Sequence, residues 1–131
     1  MPHKVSCHSC AVIYLKLSAY RELLFTAPGI ENHISGVILF EQTVGQATSD
    51  GKNFVELLRS RGIYAGIKLD KGPVDIGGTN GEKATQGLDG LAARCQDFYA
   101  RGCRFAKWRA ILKIGDGMPS ELSVNETAHT L

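Results

Sequence analysis

Four basic side chains fall close together in the stretch RFAKWRAILKIG, residues 104–115, among aliphatic and aromatic residues. If this stretch is a strand, its side chains alternate between two faces, and Phe105, Lys107 and Arg109 share one of them. Two neighbouring cations on a buried face repel each other and lose solvation, which is unfavourable unless an anion or a carboxylate meets them. The pattern therefore predicts a site that binds phosphate or carboxylate by charge-assisted hydrogen bonds.

The elements that would position these cations alternate along the chain. Apolar runs predict buried strands at 35–42, 63–70 and 103–112, and amphipathic or glycine-terminated runs predict helices at 20–25, 53–61, 87–102 and 120–131. Segment 70–83 is expected to be a glycine-rich loop without a tight hairpin, and Ser123 with Glu126 can form the capping box of the last helix. Such an order indicates an α/β fold with a parallel sheet and right-handed crossovers.

Ligands of parallel α/β folds lie at the carboxyl ends of the strands, which draws attention to Lys68. This lysine ends the second predicted strand. It could converge with Lys107 and Arg109 on one ligand-binding mouth, the opening of the site at the carboxyl ends of the strands. Two other arrangements remain open. Lys68 could simply pair with Asp70 or Asp75, and the other two cations could reach solvent or pair with carboxylates elsewhere.

Composition indicates an ordinary globular domain of 131 residues with a formal net charge of +2. So mild a balance does not decide on nucleic acid as a ligand, and the basic residues are not gathered into one block; we expect no nucleic-acid partner. The sequence lacks an apolar run of about 18 residues, so we expect no membrane partner and an intracellular location.

The stretch CHSC at 7–10 has the C-x-x-C spacing of metal and redox sites. Cys95 and Cys103 do not form a second such pair, and nothing before Cys7 resembles a strand. The ordinary interpretation is a reduced thiol pair in a disordered N-terminal tail. We expect no metal and no cofactor, with a zinc site at Cys7 and Cys10 as the alternative.

Four stretches together resemble one known family: ISGVILFEQT (34–43), GIKLDKG (66–72), TQGLDGLAARC (85–95) and RFAKWRAILKIG. From about Tyr20 to Leu131 the chain is similar to class I fructose-bisphosphate aldolases. The resemblance implies part of a TIM (β/α)8 barrel, with about three parallel βα units. It divides the chain into a divergent, possibly disordered segment at 1–19 and a partial barrel domain at 20–131.

The family's chemistry follows from the resemblance and not from spacing. Members cleave fructose 1,6-bisphosphate into dihydroxyacetone phosphate and glyceraldehyde 3-phosphate in glycolysis, through a lysine Schiff base and without metal. Lys107 matches the family's catalytic lysine beside the reacting carbons. Lys68 and Arg109 match substrate-binding residues, and the family implies a cytoplasmic homotetramer.

The sequence also departs from the family pattern. Leu17 and Ser18 stand where the family has a pair of arginines, and residues 1–19 hold no acidic residue. No residue matches the Schiff-base lysine or the acid–base glutamates. We therefore expect an aldolase-family chain that is inactive alone and that is marginally stable, self-associating or dependent on missing parts, because a few parallel strands cannot close a barrel. The alternative is a non-catalytic fragment that binds phosphate esters or aldolase subunits.

Overall fold

The computed structural model describes residues 8–131, with side chains described from residue 15 onward. In chain order the elements are α1 (His8–Phe25), a 3-10 turn (Ile30–Asn32), β1 (Gly36–Leu39), α2 (Glu41–Val44), α3 (Phe54–Ser60), β2 (Tyr64–Lys68), β3 (Pro73–Asp75), β4 (Lys83–Thr85), α4 (Leu91–Ala100), β5 (Phe105–Lys107) and α5 (Glu121–Thr130). The predicted α/β alternation is confirmed.

Three strands form a parallel sheet in the order β1-β2-β5. The apolar runs with β-branched residues that predicted β1 and β2 form these strands because helices cover one side of them. Ile67 pairs with Leu39 on one side and Ala106 on the other, and Lys68 pairs with Lys107. This is a partial sheet of the expected kind, and closure into a barrel remains a proposal.

The two faces of the sheet differ in what covers them. Leu39 and Ile67 point to the helical side, where they join the buried core with Phe54 and Leu58 of α3. The opposite, open face carries Ile38, which is 50% exposed, together with Lys68 and Lys107 at its carboxyl end. The cations therefore lie on the face that no helix of the described chain covers.

Segment 70–83 contains the antiparallel partners β3 and part of β4, so the expectation of a loop without a hairpin is wrong. The two strands are only three residues long and follow glycine-rich turns, which hides them from periodicity. Residues 77–82, between the two strands, form a loop.

The last strand is shorter than the predicted 103–112, and the last helix is capped by a different residue than predicted. β5 stops at Lys107, because its partner β2 has ended and the chain after Asp70 turns toward the hairpin, where Lys71 N–H donates to Gln86 O. Helix α5 is capped by Ser120, whose hydroxyl accepts from the N–H of Ser123, so Ser123 and Glu126 do not form the predicted capping box.

Helix α1 begins at His8, so residues 8–19 are helical and not the tail expected from the sequence. Phe25 at its end packs edge-on against Phe54, with 5.3 Å between ring centroids. Cys7 lies outside the described residues and the side chain of Cys10 is not described, so the prediction for CHSC stays untested. From His8 onward, no helix has the length and apolar character needed to span a membrane.

Candidate active site

Lys68 and Lys107 are the last residues of neighbouring parallel strands, β2 and β5, and they face each other in register. Paired residues of a parallel ladder point to the same face, so both ammonium groups leave the sheet on its open side. Their side chains are 26% and 31% exposed. The structure thus brings together two of the three cations that the sequence predicted to converge.

Asp70 is the residue on which the two lysines meet. Lys68 Nζ donates to Asp70 Oδ1 at 2.5 Å and to its main-chain oxygen at 3.0 Å, and Lys107 Nζ lies 3.8 Å from Oδ2. The carboxylate is only 3% exposed, and Gly72 N–H also donates to Oδ1 at 3.2 Å. One buried carboxylate therefore orients two cations.

The electrostatics of this group favour the charged carboxylate. Burial raises the pKa of Asp70, but the hydrogen bond and charge of Lys68, with the charge of Lys107, lower it further, so that its pKa lies below its usual value. Oδ2 has no hydrogen-bond partner within the described chain and faces Lys107. Two ammonium groups against one carboxylate leave net positive charge at a half-exposed mouth, which suits an anionic ligand.

The chain around Asp70 is fixed from two sides. Arg94 of α4 donates through its guanidinium to the carbonyl oxygens of Leu69 and Gly87. Gln86 N–H donates to Gly72 O at 2.9 Å, which ties the segment after Asp70 to the hairpin. The carboxylate thus sits on a short, doubly anchored turn, and such anchoring preorganises a site.

Arg109 does not join the cluster. It lies beyond the end of β5, where strand alternation no longer applies, so the prediction that it shares a strand face with Lys107 is wrong. Its side chain is exposed and makes no hydrogen bond or ion pair with residues 15–131. Its main-chain oxygen accepts from Thr85 Oγ1 at 2.6 Å, which holds the backbone near the hairpin.

Asp70 is the site residue that sequence reasoning treated only as a possible partner of Lys68. That pairing is confirmed, but it does not remove Lys68 from the mouth, because Lys107 reaches the same carboxylate. In the sequence, the Lys-x-Asp spacing at the end of a predicted strand is the pattern that indicates this pairing. Elsewhere in residues 15–131, no group of three or more His, Cys, Asp or Glu side chains is arranged to hold a metal.

Comparison with known proteins identifies the family. The model of the family described as "Fructose-bisphosphate aldolase class-I" matches residues 16–131, most of the chain.

The chain belongs to the class-I fructose-bisphosphate aldolase family.

Individual aldolases are similar in sequence to this chain. Cytosolic aldolase 5 of Arabidopsis thaliana is 64% identical over 86% of this chain and 32% of its own length. The cytoplasmic isozyme of Spinacia oleracea is 58% identical over the same shares. This aldolase-family chain thus spans about a third of the length of these relatives, and the resemblance inferred from the four stretches is confirmed.

A solved aldolase shares the fold. The enzyme from Plasmodium falciparum, solved in complex with TRAP and a small molecule inhibitor, superposes with a TM-score of 0.83 at 52% identity. The match covers 86% of this chain and 33% of that one. The partial sheet with its helices is therefore the aldolase arrangement over the matched third.

Proposed function

We propose that this chain carries part of the active site of a fructose-bisphosphate aldolase. The reaction is cleavage of fructose 1,6-bisphosphate to dihydroxyacetone phosphate and glyceraldehyde 3-phosphate in glycolysis. Family membership supports the reaction, and the cytosolic and cytoplasmic names of the Arabidopsis and spinach relatives support a cytoplasmic location. The complete barrel and the homotetramer of the family belong to this proposal.

The convergence of Lys68 and Lys107 on Asp70 carries the proposal. Two ammonium groups share one buried carboxylate, so the mouth keeps an excess of positive charge for a phosphorylated sugar. Charge-assisted hydrogen bonds from lysine to phosphate oxygens are among the stronger polar contacts in proteins. This cluster lies at the carboxyl ends of parallel strands, where barrel enzymes bind their substrates.

The proposal gives each of the three cations a different role. Lys68 is held at two Asp70 oxygens, which fixes its direction for binding substrate. Lys107 lies farther from the carboxylate, at 3.8 Å, so its ammonium is free to donate to the reacting carbonyl or hydroxyl and to act as the catalytic lysine. Arg109 is exposed just beyond the strand and would contact a phosphate group from the side of the mouth.

The proposal assigns the imine-forming lysine and the acid–base glutamates to no residue of this chain. We therefore expect the isolated chain to bind the ester without turning it over. Substrate binding and carbon–carbon cleavage are separable in such a case, because only interactions that are stronger in the transition state than in the bound substrate accelerate the chemical step.

Borohydride trapping and lysine acylation test this proposal together. The chain is incubated with dihydroxyacetone phosphate, and the reactivity of each lysine is followed by mass spectrometry. We expect slower acylation of Lys68 and Lys107, unchanged acylation of the exposed Lys83, and no reduced adduct. Absence of protection would contradict substrate binding, and a borohydride-stable adduct would contradict the inactivity of the isolated chain.

A further inference from the structure

The loop between β3 and β4 contains the dipeptide Asn80–Gly81, and both of its residues are exposed. The Gly81 N–H donates to no atom of residues 15–131, and the Asn80 side chain makes no hydrogen bond with that part of the chain. Gly81 also has no side chain that would hinder a group approaching its nitrogen. The amide carbon of Asn80 and the main-chain nitrogen that follows it are therefore free to meet.

The three other asparagines of the sequence differ from Asn80 in the residue that follows them. The following main-chain nitrogen is engaged or helical in each case: His33 after Asn32 donates to Ile30 O at 3.0 Å, Phe54 after Asn53 donates to Gln46 O at 3.1 Å, and Glu126 after Asn125 lies within α5. Helical N–H groups donate to carbonyls one turn back. A nitrogen held in a hydrogen bond keeps its proton and is turned toward its acceptor. The structure thus distinguishes Asn80 from the other three.

Lys113 places a positive charge on the peptide unit that joins Asn80 to Gly81. Its Nζ donates to Asn80 O at 2.7 Å, and a Cβ built on Gly81 would lie 3.6 Å from the same nitrogen. Asn80 O and the Gly81 N–H belong to one amide, and resonance spreads over both atoms the negative charge that develops when the N–H loses its proton. A cation at the oxygen stabilises that anion, so the N–H becomes more acidic.

We propose that Asn80 is a site of spontaneous covalent modification, deamidation through a cyclic imide, and that Lys113 promotes it. The Gly81 nitrogen loses its proton and attacks Cγ of Asn80, the bond from Cγ to Nδ2 breaks, and ammonia leaves. Water then opens the imide at either carbonyl and gives aspartate or isoaspartate. The net change exchanges the amide nitrogen for an oxygen of water, so no oxidant or reductant is consumed. Ring closure within one dipeptide has the advantage of proximity.

Isoaspartate at position 80 would disturb the contact that fixes the start of α5. The isomer lengthens the main chain by one carbon atom just before Gly81, and Glu82 follows directly. The Glu82 N–H donates to Thr79 Oγ1 at 3.2 Å, and its carboxylate accepts from Ser120. These contacts fit a main chain of ordinary length, so the extra atom must displace Glu82. The converted chain should therefore show faster amide exchange in the first turn of α5.

Peptide mapping by mass spectrometry tests the proposal on the full chain, incubated at mildly alkaline pH and low ionic strength. Conversion at each asparagine is followed by the mass change and by chromatographic separation of the isoaspartate form. In the wild type, we expect Asn80 to convert well ahead of the other three asparagines. Lys113→Met should slow conversion at Asn80 by about threefold, a modest factor because the lysine is exposed. Lys113→Arg keeps the cation and should convert at nearly the wild-type rate.

The matched control is Lys83→Met, which removes a lysine of the same hairpin whose ammonium pairs with Asp75, and it should leave the rate unchanged. If Lys113 acts only as a tether that stiffens the loop, Lys113→Met should speed ring closure. Equal or faster conversion in Lys113→Met, slow conversion in Lys113→Arg, or no preference for Asn80 in the wild type would overturn the proposal. Unchanged hydrogen–deuterium exchange in α5 of the converted chain would contradict the displacement of Glu82.

Discussion

Lys107 Nζ, at the end of β5, lies 3.8 Å from Oδ2 of Asp70, two residues after the end of β2; the carboxylate is buried and the lysine side chain is 31% exposed. Lys68 takes the other carboxylate oxygen at 2.5 Å. This arrangement lets one buried anion direct two cations toward an open sheet face.

Replacing Asp70 by Asn should destabilise the chain in a pH-dependent way. The substitution leaves Lys68 and Lys107 without their carboxylate, and we expect a loss of about 1–2 kcal/mol in the free energy of unfolding at pH 7. The lysines lower the pKa of Asp70 in the folded state below 3.8, so its stabilising effect is present above that value. The effect disappears as the pH falls through the folded-state pKa.

Urea unfolding of both proteins between pH 7 and pH 3 measures this difference. The gap between wild type and Asp70→Asn should stay constant down to about pH 5 and then narrow as the carboxyl group protonates. Asp75→Asn is the matched control, because the Asp75 side chain is 74% exposed and its pair with Lys83 contributes little. A gap that widens in acid would be incompatible with a charged Asp70 in the folded chain.

Gly66 on β2 lies under the ring of Phe105 on β5, and this close approach predicts the effect of adding a methyl group. A Cβ at Gly66 would fall 2.4 Å from the Phe105 ring. Gly66→Ala should therefore displace the ring and cost about 1–3 kcal/mol of stability. At Gly36 the nearest ring atom would lie 3.1 Å away, so Gly36→Ala should cost less.

A double-mutant cycle separates this clash from a general loss of β-sheet stability. Phe105→Ala removes the ring, so the loss caused by Gly66→Ala should shrink markedly in the Phe105→Ala background. Thermal or urea unfolding of the four proteins gives the coupling. Equal losses in both backgrounds would show that the ring does not lie over Gly66.

Glu82 in the hairpin fixes the start of α5. Its side chain is buried, and it accepts from the N–H of Ser120 at 2.9 Å and from the hydroxyl at 2.5 Å. These hydrogen bonds lower the pKa of Glu82 below its usual value. Glu82→Gln weakens them and should speed amide exchange in the first turn of α5 several-fold.

Hydrogen–deuterium exchange by mass spectrometry follows this local opening. Glu126→Gln is the control, since Glu126 is exposed on the same helix and does not cap it. Its exchange pattern should match the wild type. Equal exchange in Glu82→Gln and the wild type would mean that the hairpin does not hold the helix.

The parallel sheet was predictable from the sequence because local and tertiary signals agree there. The runs that form β1 and β2 are apolar, and α3 is capped by Asn53, whose side chain accepts from the N–H of Val55. The hairpin was missed because three-residue strands carry no periodicity. The length of β5 is a tertiary property, set by where its neighbour β2 turns away.

The candidate site was predictable in part. Residue types and strand ends identified Lys68 and Lys107, and the ladder brings them into register. Sequence patterns could not show that both lysines would use the carboxylate of Asp70, because that depends on the turn after β2. Arg109 was assigned to a strand face on alternation alone, and the strand ends before reaching it. The roles of all three cations in substrate binding and catalysis stay predictions.

The most direct measurement is binding of fructose 1,6-bisphosphate to the full chain, monitored by a phosphorus NMR titration at low ionic strength. Saturable binding should weaken about tenfold in Lys107→Ala, since one charge-assisted contact is lost, and should be unchanged in Lys83→Ala, whose ammonium pairs with Asp75 in the hairpin. Equal affinity of Lys107→Ala and wild type, or no binding by the wild type, would contradict a phosphorylated-sugar site built on Lys68, Asp70 and Lys107.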